Sequence, residues 1–171
     1  MSGIGTRVLV VDDEEIVRES LGGWLREDGF QVSSAPDGRT AVELMKGERW
    51  NVMLVDLKMP GMDGLQVLEE ARQLQPEAAI VMMTAYATVD TAVTAMKLGA
   101  FDYLVKPFDP EELSLLMQKV VAQQTLVREN AVLRKALKKE HRFRDLVSKS
   151  PAMQRVFELA QVAARSNSTI L

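Results

Sequence analysis

The chain has 171 residues, 47% of them hydrophobic, with no cysteine and a formal net charge of −3 at pH 7. That length holds one domain of ordinary size plus a remainder, and the absence of cysteine excludes a disulfide framework, a thiolate metal site and a cysteine nucleophile, as fits a cytoplasmic protein. No apolar run approaches ~20 residues and no basic-then-apolar leader opens the chain, so neither a membrane span nor a signal peptide is expected, while the slight acidity argues against a broad nucleic-acid surface.

Met1 to Thr6 reads as a loose tail. Val8-Leu9-Val10-Val11 is short, apolar and unalternating, as a parallel strand covered on both faces should be, and it runs into Asp12-Asp13-Glu14. Ile16, Val17, Leu21, Trp24 and Leu25 then recur at helical spacing, with Asp13 read as the N-cap and Gly29 as the stop. Phe30 to Ala35 is a second strand. Ala41, Val42, Leu44 and Met45 mark a helix bounded by Asp37-Gly38 and Gly47. Val52 to Val55 is a third strand delivering Asp56, and Pro60-Gly61 and Asp63-Gly64 are turn dipeptides that end it. Leu65, Val67, Leu68, Ala71 and Leu74 give a third helix ending before Pro76. Ala79 to Met83 is a strand that ends at Thr84-Ala85. Thr88 caps a fourth helix carrying Ala92, Val93, Ala95, Met96 and Leu98, and Gly99 closes it. Phe101 to Val105 is a fifth strand, ending at Lys106-Pro107. Five alternations of strand and helix define an α/β fold, a doubly wound five-stranded parallel sheet with helices on both faces. Met53, Met82, Met83 and Met96 read as core fillers.

The fifth helix opens with Asp109 as N-cap, Pro110 at the first helical position and Glu112 completing an Asp-x-x-Glu box. With no Gly or Pro from Glu111 to Ser150, it could run ~30 residues, roughly 45 Å. Leu113, Leu116, Met117 and Val120 are expected to pack on the sheet. Leu126, Asn130, Leu133 and Leu137 continue a spacing of four, three, four, which makes a coiled-coil seam with a polar residue fixing register and implies a homodimer. A single amphipathic linker helix is the plainer alternative. The basic residues Arg134, Lys135, Lys138, Lys139 and Arg142 read as a solvated face, and His141 as an exposed linker histidine. Ser150-Pro151 starts a further helix with Met153, Val156, Phe157, Ala160 and Val162 on one face, too short to bury a core of its own.

Four strand ends carry chemistry. Parallel strands gather ligands at their carboxyl ends, which is where Asp56 falls, although a cap or turn aspartate is the plainer reading of that residue alone. Asp12 and Asp13 end a second strand. Two carboxylates ~4 Å apart repel by roughly 4 kcal/mol at an effective dielectric of about 20, so such a cluster needs a cation or protons. An all-oxygen set suits Mg²⁺. Thr84 adds a hydroxyl, and Lys106 a mobile point charge able to neutralise a phosphate.

Together, in this order, these residues resemble the receiver domains of two-component response regulators, over about Arg7 to Val121. The resemblance implies that Asp56 is the phosphoacceptor, served by a sensor histidine kinase. It implies that Asp13 and Asp56 ligate Mg²⁺ with the backbone carbonyl of Lys58, and that Asp12 helps through water. Thr84 and Lys106 would hold the phosphoryl oxygens, Tyr103 would be the aromatic switch, and Lys106-Pro107 a cis peptide. Such a domain catalyses only its own phosphorylation and dephosphorylation. The division expected is a tail over 1–6, a receiver over 7–121, a helical, possibly coiled-coil linker over 122–144, and a segment over 145–171. That last segment resembles the opening of the AAA+ domain of sigma-54-dependent activators, cut before any Gly-x-x-x-x-Gly-Lys-Ser/Thr loop. With the long fifth helix, this points to the nitrogen-regulatory-protein-C-like branch, whose further domains would contact sigma-54 RNA polymerase and DNA.

Two other classes share part of the pattern. A haloacid-dehalogenase-like phosphohydrolase pairs a strand-end Asp nucleophile and Mg²⁺ with a second carboxylate two residues on, where this chain has Lys58. A flavodoxin-like flavin-binding protein needs an uncharged, hydroxyl-rich loop after the first strand, where Asp12-Asp13-Glu14 would repel a phosphate.

Overall fold

The computed structural model describes residues 5–85, 88–148 and 155–156, with the backbone alone at 128, 131 and 135–148. Its elements are β1 (Arg7–Val11), α1 (Glu15–Glu27), β2 (Gln31–Ala35), α2 (Gly38–Gly47), β3 (Val52–Asp56), α3 (Gly64–Leu74), β4 (Ala79–Thr84), α4 (Val89–Lys97), β5 (Asp102–Val105) and α5 (Pro110–Ser148). All strand pairs are parallel, and the sheet order is β2-β1-β3-β4-β5. The residues separate into two units, Met1–Gln123 and Gln124–Leu171.

Period-two alternation along each strand sorts the first unit's core into two layers. Leu9, Val11, Met53, Val55, Ile80 and Met82 face α2, α3 and α4 through Ala41, Met45, Val67, Leu68, Ala71 and Ala95. Val8, Val10, Leu54, Val81, Met83 and Leu104 face α1 and α5 through Leu21, Leu25, Leu113, Met117 and Val120. Each fully buried Leu, Val or Met side chain contributes about 1.5–3 kcal/mol, so the central strands are fixed from both sides.

Several helix ends differ from their sequence reading. Asp13 is not the cap of α1: Glu14 takes that position, without a side-chain cap bond. Asp63, read as a turn residue, caps α3 in a reciprocal box with Gln66. Thr88 caps α4 as expected, in a box with Thr91, and Asp109 Oδ1 accepts from the Glu112 amide at 3.0 Å. Gly29 and Gly99 lie just past the ends of α1 and α4 with φ of +88° and +96°, the left-handed geometry that favours glycine there. The Lys106-Pro107 bond is cis.

The apolar stripes of α1 and α4 are less buried than their periodicity implies. Ile16 is 79% exposed, and Met96, expected in the core, is 49% exposed with Val89 and Val93 also open. Within α4 only Ala95 is buried, because this short helix meets the sheet along one small-residue contact.

The helix α5 is longer than expected, 39 residues. In the second unit Leu126 and Leu133 are 65% and 63% exposed, with Val127, Asn130, Val132 and Arg134 also open. The side chains of Leu137, His141 and the basic residues from Lys135 onward lie outside the described residues. So does the segment read as the start of a further domain, apart from two helical residues at 155–156.

Candidate functional site

The register of the sheet decides which strand ends meet. Val11 pairs with Val55, Asp56 with Met83, and Thr84 with Val105. The residues at or just beyond those pairs are Asp12, Asp56, Thr84 and Lys106. Hence four segments far apart in sequence put two carboxylates, a hydroxyl and an ammonium at one sheet edge.

Asp12 is fully buried and Asp56 is 6% exposed. The Asp12 amide donates to the Ala35 carbonyl. Its Oδ1 accepts from the Glu14 amide at 2.9 Å, and its Oδ2 accepts from Lys106 Nζ at 2.5 Å. The same ammonium donates to Asp56 Oδ1 at 2.7 Å, while Asp56 Oδ2 accepts from the Lys58 amide at 2.9 Å. One cation therefore bridges two buried anions. Burial pushes the Asp56 carboxyl up, the repulsion of Asp12 adds to this, and the bond and charge of Lys106 offset only part of it. For Lys106, burial pushes the ammonium down, but bonds and charges from both aspartates more than reverse this, so it stays protonated above the ordinary lysine range.

Thr84 is buried, and its carbonyl accepts from the Lys106 amide at 2.7 Å, which ties the ends of β4 and β5 together. Tyr103, half-buried on β5, has its hydroxyl 3.4 Å from Thr91 Oγ1. Asp13 is exposed and, with Leu57, Lys58, Met59, Pro60, Asp63, Leu65 and Thr91, lines an open cleft of about 550 Å³.

Among the described residues, no three acidic or histidine side chains stand close enough to share one ion as they are placed. The donor set still fits Mg²⁺, which keeps several waters and binds through one or two carboxylates, and the buried anions outnumber their one bridging cation.

Of the residues singled out in the sequence, Asp12, Asp13, Asp56, Lys58, Thr84, Tyr103 and Lys106, the structure brings Asp12, Asp56 and Lys106 into direct contact. Sequence reasoning missed Arg18, which donates to the Asp12 and Asp13 carbonyls. It missed Thr91, although Thr-x-x-Thr at a helix start could have signalled the box. It also missed Gly64, where an added Cβ would meet the Asp56 carbonyl oxygen and which had no signal beyond a turn dipeptide.

A doubly wound parallel sheet whose carboxyl edge holds an aspartate, a bridging lysine and a buried threonine defines a class of signalling domain. The family model "Response regulator receiver domain" matches residues 8–118, and the chain belongs to that family. It is 38% identical to the regulatory protein AtoC of Escherichia coli over 96% of this chain and 36% of that protein. It is 34% identical to the DNA-binding transcriptional regulator NtrC of the same species, over 96% of this chain and 34% of that one. The chain thus spans about a third of the length of these curated relatives. Among solved structures it resembles the response regulator TrrA of Thermotoga maritima in complex with Mg²⁺-BeF, with 33% identity and a TM-score of 0.62 over 67% of this chain and 98% of that one.

Proposed function

We propose that Asp56 accepts a phosphoryl group from a sensor histidine kinase, and that the domain is the phosphorylation switch of a cytoplasmic sigma-54-dependent transcription activator. The observation that carries this is the pair of hydrogen bonds that Lys106 Nζ donates, one to Asp56 and one to Asp12. It keeps a buried carboxylate oxygen available as a nucleophile beside the one charge that an incoming phosphoryl group needs. An oxygen of Asp56 attacks phosphorus as the bond to the donor imidazole nitrogen breaks. The electron pair stays on that nitrogen, which takes a proton.

Lys106 then holds a phosphoryl oxygen, and the Thr84 hydroxyl turns toward another. Asp13, Asp56 and the Lys58 carbonyl would hold Mg²⁺, with Asp12 acting through water; bound there, the ion would neutralise the developing charge. The similarity to TrrA, solved in complex with Mg²⁺-BeF, supports Mg²⁺ binding here. Movement of Thr84 lets Tyr103 turn inward, and α5 carries the change to a homodimer seam of Leu126, Asn130, Leu133 and Leu137. The exposed Leu126 and Leu133 support such a seam, and the similarity to NtrC, a DNA-binding transcriptional regulator, supports an activator whose other domains meet DNA. Among the described residues, no helix is long and apolar enough to cross a membrane.

The test is labelling by a small acyl phosphate in Mg²⁺, followed by intact mass. The native chain should take up one phosphoryl group and Asp56→Asn none. An Asp56→Asn variant that still takes up one phosphoryl group would sink the assignment.

A further inference from the structure

The loop from β1 to α1 is held in an unusual way. Its helix starts without a side-chain cap, because Glu14 makes no such bond. Arg18, one turn further on, reaches back instead: its Nη1 donates to the Asp12 carbonyl at 2.8 Å and to the Asp13 carbonyl at 3.1 Å. Its own amide donates to the Glu14 carbonyl at 3.1 Å, so the base of the side chain is fixed within α1. Asp12 is already held at its amide and at both carboxylate oxygens. Asp13 is different, since its side chain is exposed on the cleft and its carbonyl is held by Arg18.

We propose that Arg18 is a positioning residue for divalent-cation binding, setting the direction of the Asp13 carboxylate by tying down the two carbonyls that flank it. This rests on the reading of Asp13 and Asp56 as Mg²⁺ ligands. One guanidinium nitrogen carries two N–H groups in a fixed plane and can meet successive carbonyls without bending the chain, which an ammonium on a flexible stem does less well. The bare charge of Arg18 opposes a second cation nearby, so charge and positioning predict opposite signs when the side chain is removed. Groups that orient metal ligands without touching the metal are worth 10- to 100-fold in affinity, and positioning should dominate.

The experiment is a calorimetric Mg²⁺ titration of the native chain, Arg18→Gln and Arg18→Lys, with each variant's thermal midpoint measured in chelator. Arg18→Gln should raise the dissociation constant roughly 10-fold, and Arg18→Lys should fall between it and the native chain. Hydrogen exchange of the Glu14 amide, which needs no metal, should speed up in the same order. A dissociation constant within twofold of native in both variants would overturn the proposal, as would tighter binding, which would leave charge repulsion as the only effect. Should Arg18→Gln not fold, the lysine variant carries the same decision alone. A native chain that takes up no Mg²⁺ overturns the metal reading, and the Arg18 assignment with it.

Discussion

A Cβ added at Gly64 would lie 2.2 Å from the carbonyl oxygen of Asp56 and 2.8 Å from the Leu57 Cα. Both neighbours are backbone, so neither can swing aside. The first residue of α3 is pressed against the strand end that presents Asp56, and the Gly64 amide donates to the Leu57 carbonyl to close the loop. Gly64→Ala should cost about 3 kcal/mol in urea unfolding. Because the shift falls on Asp56 itself, labelling by a small phosphodonor should also slow; an unchanged rate would mean that the strain is relieved in the loop.

Asp56→Asn should stabilise the metal-free domain at neutral pH and raise its thermal midpoint. The folded-state value of this carboxyl is raised above 3.8, chiefly by burial. Its favourable contribution is therefore present below that unfolded value and lost as pH rises through the folded one, leaving the ionised group a cost at pH 7. The benefit of the amide should shrink as pH falls toward about 4. Thermal melts at several pH values would show it, and a gain independent of pH would point to packing.

Lys106→Met removes the cation shared by two buried carboxylates and should destabilise by about 3 kcal/mol at pH 7. Added Mg²⁺ should recover part of the loss by binding the native state. In the native chain the raised value of Lys106 means that its contribution is complete below 10.5 and fades as pH rises through the folded value, which the methionine variant should not show. Urea titrations with Mg²⁺ or chelator would separate these effects.

Thr91 serves two hydroxyls, those of Thr88 in the α4 cap and Tyr103 on β5. Thr91→Val should cost about 1 kcal/mol. A double-mutant cycle with Tyr103→Phe should give a coupling of roughly 0.5 kcal/mol, and zero coupling would show that the tyrosine is not tied to α4.

Leu126 and Leu133 remain open to solvent within α5. If they meet a second copy, Leu133→Lys should shift the sedimenting species toward monomer while leaving the melt of the sheet domain unchanged. A native chain that is monomeric at every concentration would remove the seam.

The legible part of this molecule is the part that period and polarity encode. Strands covered on both faces read as apolar runs, so β1 and β3 and the carboxylates that end them could be named directly, and Lys106 followed from the order of strand ends. What stayed hidden depends on partners distant in sequence. Gln75 is 2% exposed because its amide donates to the Met45 and Glu48 carbonyls and its oxygen accepts from the Trp50 amide. No local pattern announces that clamp. Asp13 looked like a cap because aspartate before a helix usually is one; Arg18 took over the junction instead. Ile16 and Met96 fit a helical stripe, yet the short contacts of α1 and α4 leave them outside.

The Lys106 ammonium joins Asp12 across 94 residues of sequence and Asp56 across 50. Both aspartates are in place once β1 and β3 pair, but their counter-charge arrives with the final strand. A chain lacking β5 would hold both carboxylates at the sheet edge without the ammonium that bridges them in the folded domain. The last strand of the sheet thus supplies the counter-charge of the proposed acceptor, so a chain cut before β5 should be both less stable and slower to take up a phosphoryl group.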